Sequence, residues 1–170
     1  MLPTPPVPPL HADLEPLAFL LGTWKGQGAG EYPTIDSFTY NEEVTFSHVG
    51  KPFLAYSQRT RHRETGEPLH AEVGYLRAVN ELDELRVGYE LALVQPTGII
   101  ETHHVTLAGT TFSTRVAVTS FTPLASPAAK SVTDVVRKVT VADNQMSYRV
   151  WMAASGEPLT DHLEASLTRQ

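Results

Sequence analysis

The chain has no cysteine, which excludes thiolate nucleophiles, iron–sulfur clusters and zinc–thiolate sites and leaves histidine, carboxylate or tyrosine as metal ligands. It also lacks a basic surplus. Thirteen Lys and Arg stand against 19 Asp and Glu, a formal net charge of -6, so there is no cationic stripe to neutralise phosphates and nucleic acid is not an expected partner. No apolar run approaches the roughly 18 residues of a membrane-spanning helix, and the opening segment MLPTPPVPPLHADLEP has neither the basic nor the apolar region of a secretory leader. Membrane attachment is therefore not expected, and a cytoplasmic location is the default expectation. Common catalytic signatures are missing too: there is no H-E-x-x-H, no glycine-rich phosphate loop and no G-x-S-x-G. The acidic pairs Glu42-Glu43 and Glu157/Asp161 show no partner constellation in the sequence.

What is present reads as one folded domain. A chain of 170 residues, 41% hydrophobic and 19% charged, can bury a core without disulfide or metal staples. Proline density makes residues 1–12 a flexible arm, since proline favours extended conformations and cannot donate to a sheet. The domain is expected over 13–170. One short helix is expected over Asp13–Leu21, with Asp13 as cap, Leu17, Leu20 and Leu21 presented together, and Gly22 as terminator.

Beyond it, segments rich in β-branched and aromatic residues recur every roughly 10 to 15 residues between turn signals, the pattern of an all-β chain. Ten strands are expected: Thr23–Gly30, Phe38–His48, Pro52–His62, Leu69–Val79, Leu85–Val94, Gly98–Leu107, Thr111–Phe121, Val132–Val141, Met146–Ala154 and Leu159–Thr168. Short connections such as Gly50-Lys51-Pro52, Pro96-Thr97-Gly98 and Asp143-Asn144 imply consecutive hairpins. A meander this long curls because strands twist, and closure removes its exposed edges. The expectation is thus an all-β, ten-stranded antiparallel up-and-down β-barrel with a short N-terminal helix, wide enough to take one small ligand at its mouth.

The first strand carries Gly22, Trp24, Gly26 and Gly28 in a GxWxGxG pattern. Trp24 can close the barrel bottom with a large apolar ring, while the glycines permit close strand approach. Taken alone, this is a barrel plug with no chemistry. It is followed by the turn Tyr32-Pro33-Thr34-Ile35, the Gly50-Lys51-Pro52 hairpin, the Leu69-His70-Ala71-Glu72 segment and the ending Pro158-Leu159-Thr160-Asp161-His162-Leu163. With these motifs in order from about Leu17 to Arg169, the chain resembles the nitrobindin family. That resemblance implies a ten-stranded barrel with one ferric haem b per chain at its mouth and a histidine of the last strand as axial iron ligand, a position matched by His162. It also implies that Thr34 and Lys130 lie close to the haem; an ammonium at the rim suits a propionate.

Read from alternation alone, His162 does not face an apolar interior. It would share a face with Thr160, Glu164 and Ser166, opposite Leu163, Ala165 and Leu167. Either a bulge interrupts the strand near Gly156–Asp161, or the ligand sits at a partly enclosed rim. His103 and His104 are adjacent and must point to opposite faces. His48 and His70 are both candidates to line the pocket, whereas His11 and His62 are expected on the surface.

The activity implied by the resemblance is isomerisation of peroxynitrite to nitrate at ferric haem, with reversible nitric oxide binding at the same vacant coordination position. Two alternatives stay open: a lipocalin-like or fatty-acid-binding-like carrier of an apolar molecule with Trp24 as plug, and a non-catalytic nitric oxide sensor or carrier. A homodimer is plausible, but no exposed apolar stripe in the sequence identifies its surface.

Overall fold

The computed structural model describes residues 8–80, 87–116 and 131–170. A 3₁₀ segment, Ala12–Leu20, precedes ten strands: β1 Gly22–Tyr32, β2 Ile35–His48, β3 Phe53–His62, β4 Pro68–Asn80, β5 Val87–Val94, β6 Ile100–Ala108, β7 Thr111–Val116, β8 Val132–Ala142, β9 Gln145–Ala154 and β10 Thr160–Arg169. Each strand pairs with its neighbours in chain order, and β1 pairs antiparallel with β10, so the sheet closes into a barrel. All ten expected strands are present; the first two residues of the fifth, Leu85 and Arg86, and the part of the seventh expected beyond Val116 lie outside the described residues. No helix among the described residues is long and apolar enough to cross a membrane.

The N-terminal segment departs from expectation. It is a 3₁₀ helix, and His11, not Asp13, caps it: the His11 side chain accepts from the Asp13 backbone N–H. Three residues per turn stack positions i, i+3 and i+6, so Leu14, Leu17 and Leu20 are the buried set and Leu21 is not. Packing also starts earlier than the expected arm boundary, because Leu10 lies against the core.

These leucines meet Trp24 at the closed end of the barrel. Trp24 is fully buried, its indole N–H donates to the Leu20 carbonyl at 2.8 Å, and the Arg169 guanidinium stacks over its ring at 4.1 Å. Arg169 also donates to the carbonyls of Phe19 and Leu21, tying the last strand to the plug. Two glycines of β1 are required by close approach. A Cβ at Gly26 would overlap the Ser166 carbonyl of β10, and one at Gly28 would occupy the space filled by the Tyr40 ring.

The outer wall corrects one further expectation, for an apolar patch is exposed on it. Val73, Tyr75, Val94 and Ile100 face solvent on β4 to β6, with Val73 opposite Val94 and Val94 opposite Ile100 in register. The sequence hid this patch because β4 carries apolar residues at both parities: Tyr75 points out and its neighbour Leu76 is buried in the core.

Candidate functional site

The open end of the barrel is organised by an irregularity in β10. Its register against β9 runs Thr160 with Met152 and Asp161 with Trp151, and then jumps to Leu163 with Val150. His162 is the extra residue of a β-bulge. Leu163, Ala165 and Leu167 keep the inward parity that alternation assigns them, and the bulge brings His162 to the same cavity as Leu163. Both explanations that the sequence left open for His162 have a counterpart: a bulge just past the Gly156–Asp161 stretch, and a half-buried position that leaves the ring partly enclosed.

The His162 ring is held on two sides. Its Nδ1 lies 3.0 Å from the Glu31 carbonyl oxygen, and the Tyr32 ring packs edge-on against it with centroids 5.3 Å apart. Tyr32 is itself anchored across the barrel wall: its hydroxyl accepts from the Ala154 N–H at 2.8 Å and lies within 3.3 Å of the Met152 carbonyl. A carbonyl only accepts, so Nδ1 is the protonated nitrogen and Nε2 carries the lone pair of the neutral ring. This is the backbone-carbonyl support by which a metal-ligating histidine is commonly oriented.

The cavity has a volume of about 480 Å³, within the roughly 300–1,000 Å³ of small-ligand sites. Its walls are mostly apolar and include Tyr32, Ile35, Phe38, Leu69, Ile99, Val132, Met152 and Leu163. Thr34, in the turn between β1 and β2, lines it, as does His70 of β4. Lys130 lies outside the described residues. His48 is not among the lining residues. His103 is fully buried and bonded to Glu101 at 2.7 Å while His104 is exposed, so the pair faces opposite ways as alternation requires. His11 and His62 are half-buried instead of fully exposed: one caps the 3₁₀ segment, and the other accepts backbone N–H groups from the turn after β3.

Beneath the walls lies a buried polar floor. Arg137 of β8 donates to both carboxylate oxygens of Glu72 of β4, at 2.7 and 2.9 Å, and approaches Glu101 of β6 at 3.6 Å. Tyr56 donates to Glu72 at 2.6 Å, and Gln95 donates to Glu101 at 2.6 Å. Burial alone would push the Glu72 carboxyl up; Arg137 and hydrogen bonds from His70 and Tyr56 override it and hold the group well below the usual carboxylate range. Glu42 is different. Gln58 and Tyr148 donate to it at 2.5 and 2.7 Å, but burial dominates and pushes its pKa up to about 7.

The sequence reading missed this floor. Its one visible signal was Arg137, which alternation places on the same face as Val135, Val139 and Val141. A charge on an apolar face needs a partner, and the partners sit on strands distant in sequence.

These features define a class: a closed β-barrel whose mostly apolar cavity is lined, among the described residues, by the oriented imidazole of His162 and, on another strand, by His70. Among the described residues no group of three or more His, Asp or Glu is arranged to hold a bare ion. An imidazole whose Nδ1 is engaged by a backbone carbonyl, in a mostly apolar cavity, is a donor set that fits haem. The chain belongs to the family of the THAP4-like, heme-binding β-barrel domain, whose model matches residues 13–169. It is 51% identical over 163 residues to a protein named peroxynitrite isomerase 1 of Mycolicibacterium paratuberculosis, covering 95% of this chain and 97% of the relative. It is 47% identical over 160 residues to the peroxynitrite isomerase of Nocardia farcinica, covering 94% and 92%. The crystal structure of Rv2717c from M. tuberculosis superposes with a TM-score of 0.78 at 42% identity, covering 95% of this chain and 99% of that one.

Proposed function

We propose that this chain is a haem-dependent peroxynitrite isomerase that binds one haem b through His162 Nε2. The observation that carries the reading is the β10 bulge, which turns His162 to the cavity with Nδ1 engaged by the Glu31 carbonyl. Bound there, ferric haem supplies a Lewis-acid position at which peroxynitrite is rearranged to nitrate and nitric oxide binds reversibly.

The chain's own residues do the rest. The Glu31 carbonyl and the Tyr32 ring orient the imidazole plane, the support by which a metal-ligating histidine is commonly held. Ile35, Phe38, Ile99 and Met152 provide the apolar surface a porphyrin face buries. The Thr34 hydroxyl is available at the cavity as a hydrogen-bond donor. Lys130 is assigned to a propionate on its charge and on the family resemblance. The polar floor argues against a carrier of an apolar tail, because Glu72, Glu101 and Arg137 would meet that tail at the inner end.

The test is a haemin titration of apoprotein, following the Soret band for wild type and His162→Ala side by side. Saturation at one haem per chain, lost in the variant, is the expected result. Ferric holoprotein then accelerates peroxynitrite decay in stopped flow; a rate no greater than that of buffer plus apoprotein refutes the isomerase assignment.

A further inference from the structure

Isomerising the protonated substrate releases a proton: peroxynitrous acid, HOONO, becomes nitrate plus H⁺. A weak acid that is partly protonated at neutral pH must lose that proton before its anion can reach a Lewis-acidic site. A base in the cavity supplies this step.

His70 is placed to do so. In the closed order β1-β10-β9-β8-β7-β6-β5-β4-β3-β2, its strand β4 lies four strands from β10 around a ring of ten. The most distant strand of such a ring is five away, so His70 and His162 line the cavity from nearly opposite walls. The backbone of His70 is pinned by Thr60: its N–H donates to the Thr60 hydroxyl at 3.0 Å, and that hydroxyl faces the His70 carbonyl at 3.3 Å.

The side chain is paired with Glu72, Nε2 to Oε2 at 3.5 Å. Glu72 is 1% exposed, is gripped by Arg137 and Tyr56, and is ionised, so it accepts and Nε2 donates. Nδ1 then carries the lone pair of the neutral ring. A buried carboxylate behind an imidazole sets its tautomer and orientation, the logic of a base with its orienting acid. The His70 side chain is 34% exposed, so a proton gained from the cavity can pass to water.

We infer that His70, oriented by Glu72, is the general base that deprotonates peroxynitrous acid in the cavity. The inference rests on the haem reading above. In the step, the Nδ1 lone pair forms an N–H bond while the O–H bond of HOONO breaks, leaving its electron pair on oxygen. The anion rearranges to nitrate with no net oxidation or reduction, and the imidazolium returns its proton to solvent.

Hydrogen cyanide poses the same problem, since it is protonated at neutral pH and binds ferric haem as the anion, whereas nitric oxide has no proton to lose. The experiment compares association of cyanide and of nitric oxide with ferric wild type, His70→Leu and His70→Gln. Glutamine keeps a donor for Glu72 but no base. Compared on haem-saturated protein in all three cases, the expected result is cyanide association slowed about 10²-fold in both variants, the scale of one general base, and nitric oxide association within about twofold of wild type. Cyanide rates equal to wild type overturn the inference, as does equal slowing of both ligands, which marks altered access. A low-spin wild-type spectrum that turns high-spin in His70→Leu also overturns it, because His70 is then an iron ligand. If wild type itself takes up no haem, the parent reading fails and this one with it.

Discussion

Replacing Arg137 by Met should be the most damaging single change in the barrel interior. The guanidinium makes two hydrogen bonds, at 2.7 and 2.9 Å, to a carboxylate that is 1% exposed, and it also approaches Glu101 at 3.6 Å. Removing one partner of a buried pair strands the other charge and costs about 3–5 kcal/mol. Against a total stability of roughly 5–15 kcal/mol for a domain, that is a large fraction. With a urea m-value of about 2 kcal/mol/M, the midpoint should fall by about 2 M. Urea unfolding followed by Trp fluorescence measures it. The pH dependence should also change sign. In wild type the Glu72 carboxyl is held low in the fold, so its contribution is present above the unfolded pKa and is lost as pH falls through the folded value. Without Arg137, burial raises the folded pKa, so the variant should gain stability on acidification, where the carboxyl becomes neutral. Adding Glu72→Gln to Arg137→Met should recover at least half of the loss at neutral pH. A loss under about 1 kcal/mol, or no recovery in the double variant, refutes the view that this pair is a buried and mutually dependent unit.

Gly26→Ala should lower stability by about 1–3 kcal/mol, because the added methyl overlaps the Ser166 carbonyl in the strand that closes the barrel; thermal unfolding by circular dichroism measures the shift. Glu42, with its pKa raised to about 7 from 4.5, should favour the fold fully below pH 4.5 and lose this contribution as pH rises through about 7, by roughly 3 kcal/mol. Glu42→Gln should flatten that slope, and urea midpoints between pH 4 and 8 would show it. Tyr32→Phe removes the hydroxyl that accepts the Ala154 N–H while keeping the ring against His162; haemin affinity should fall by less than in Tyr32→Ala, as read from Soret titrations of the two variants.

The sequence by itself determined the strand inventory and the closed end of the barrel. Period-2 patterning and turn residues depend only on local chain chemistry, which is why ten strands were legible within a few residues of their ends. The GxWxGxG segment was legible for the same reason: Trp24 and its glycines are a packing requirement written in one stretch of chain. His162 was legible as a ligand candidate through the ordered motifs around it. Its direction was not, because a one-residue bulge reverses side-chain parity without changing composition, and only the pairing of β10 with β9 reveals it. Tertiary structure alone decided the polar floor. Glu72, Glu101 and Arg137 lie on β4, β6 and β8 and are separated by tens of residues; each looks like an isolated charge until closure brings them into one low-dielectric interior. The same closure separates His70 from His48. Both sit near strand ends in the sequence, but only β4 turns its histidine to the cavity that His162 lines from the far wall.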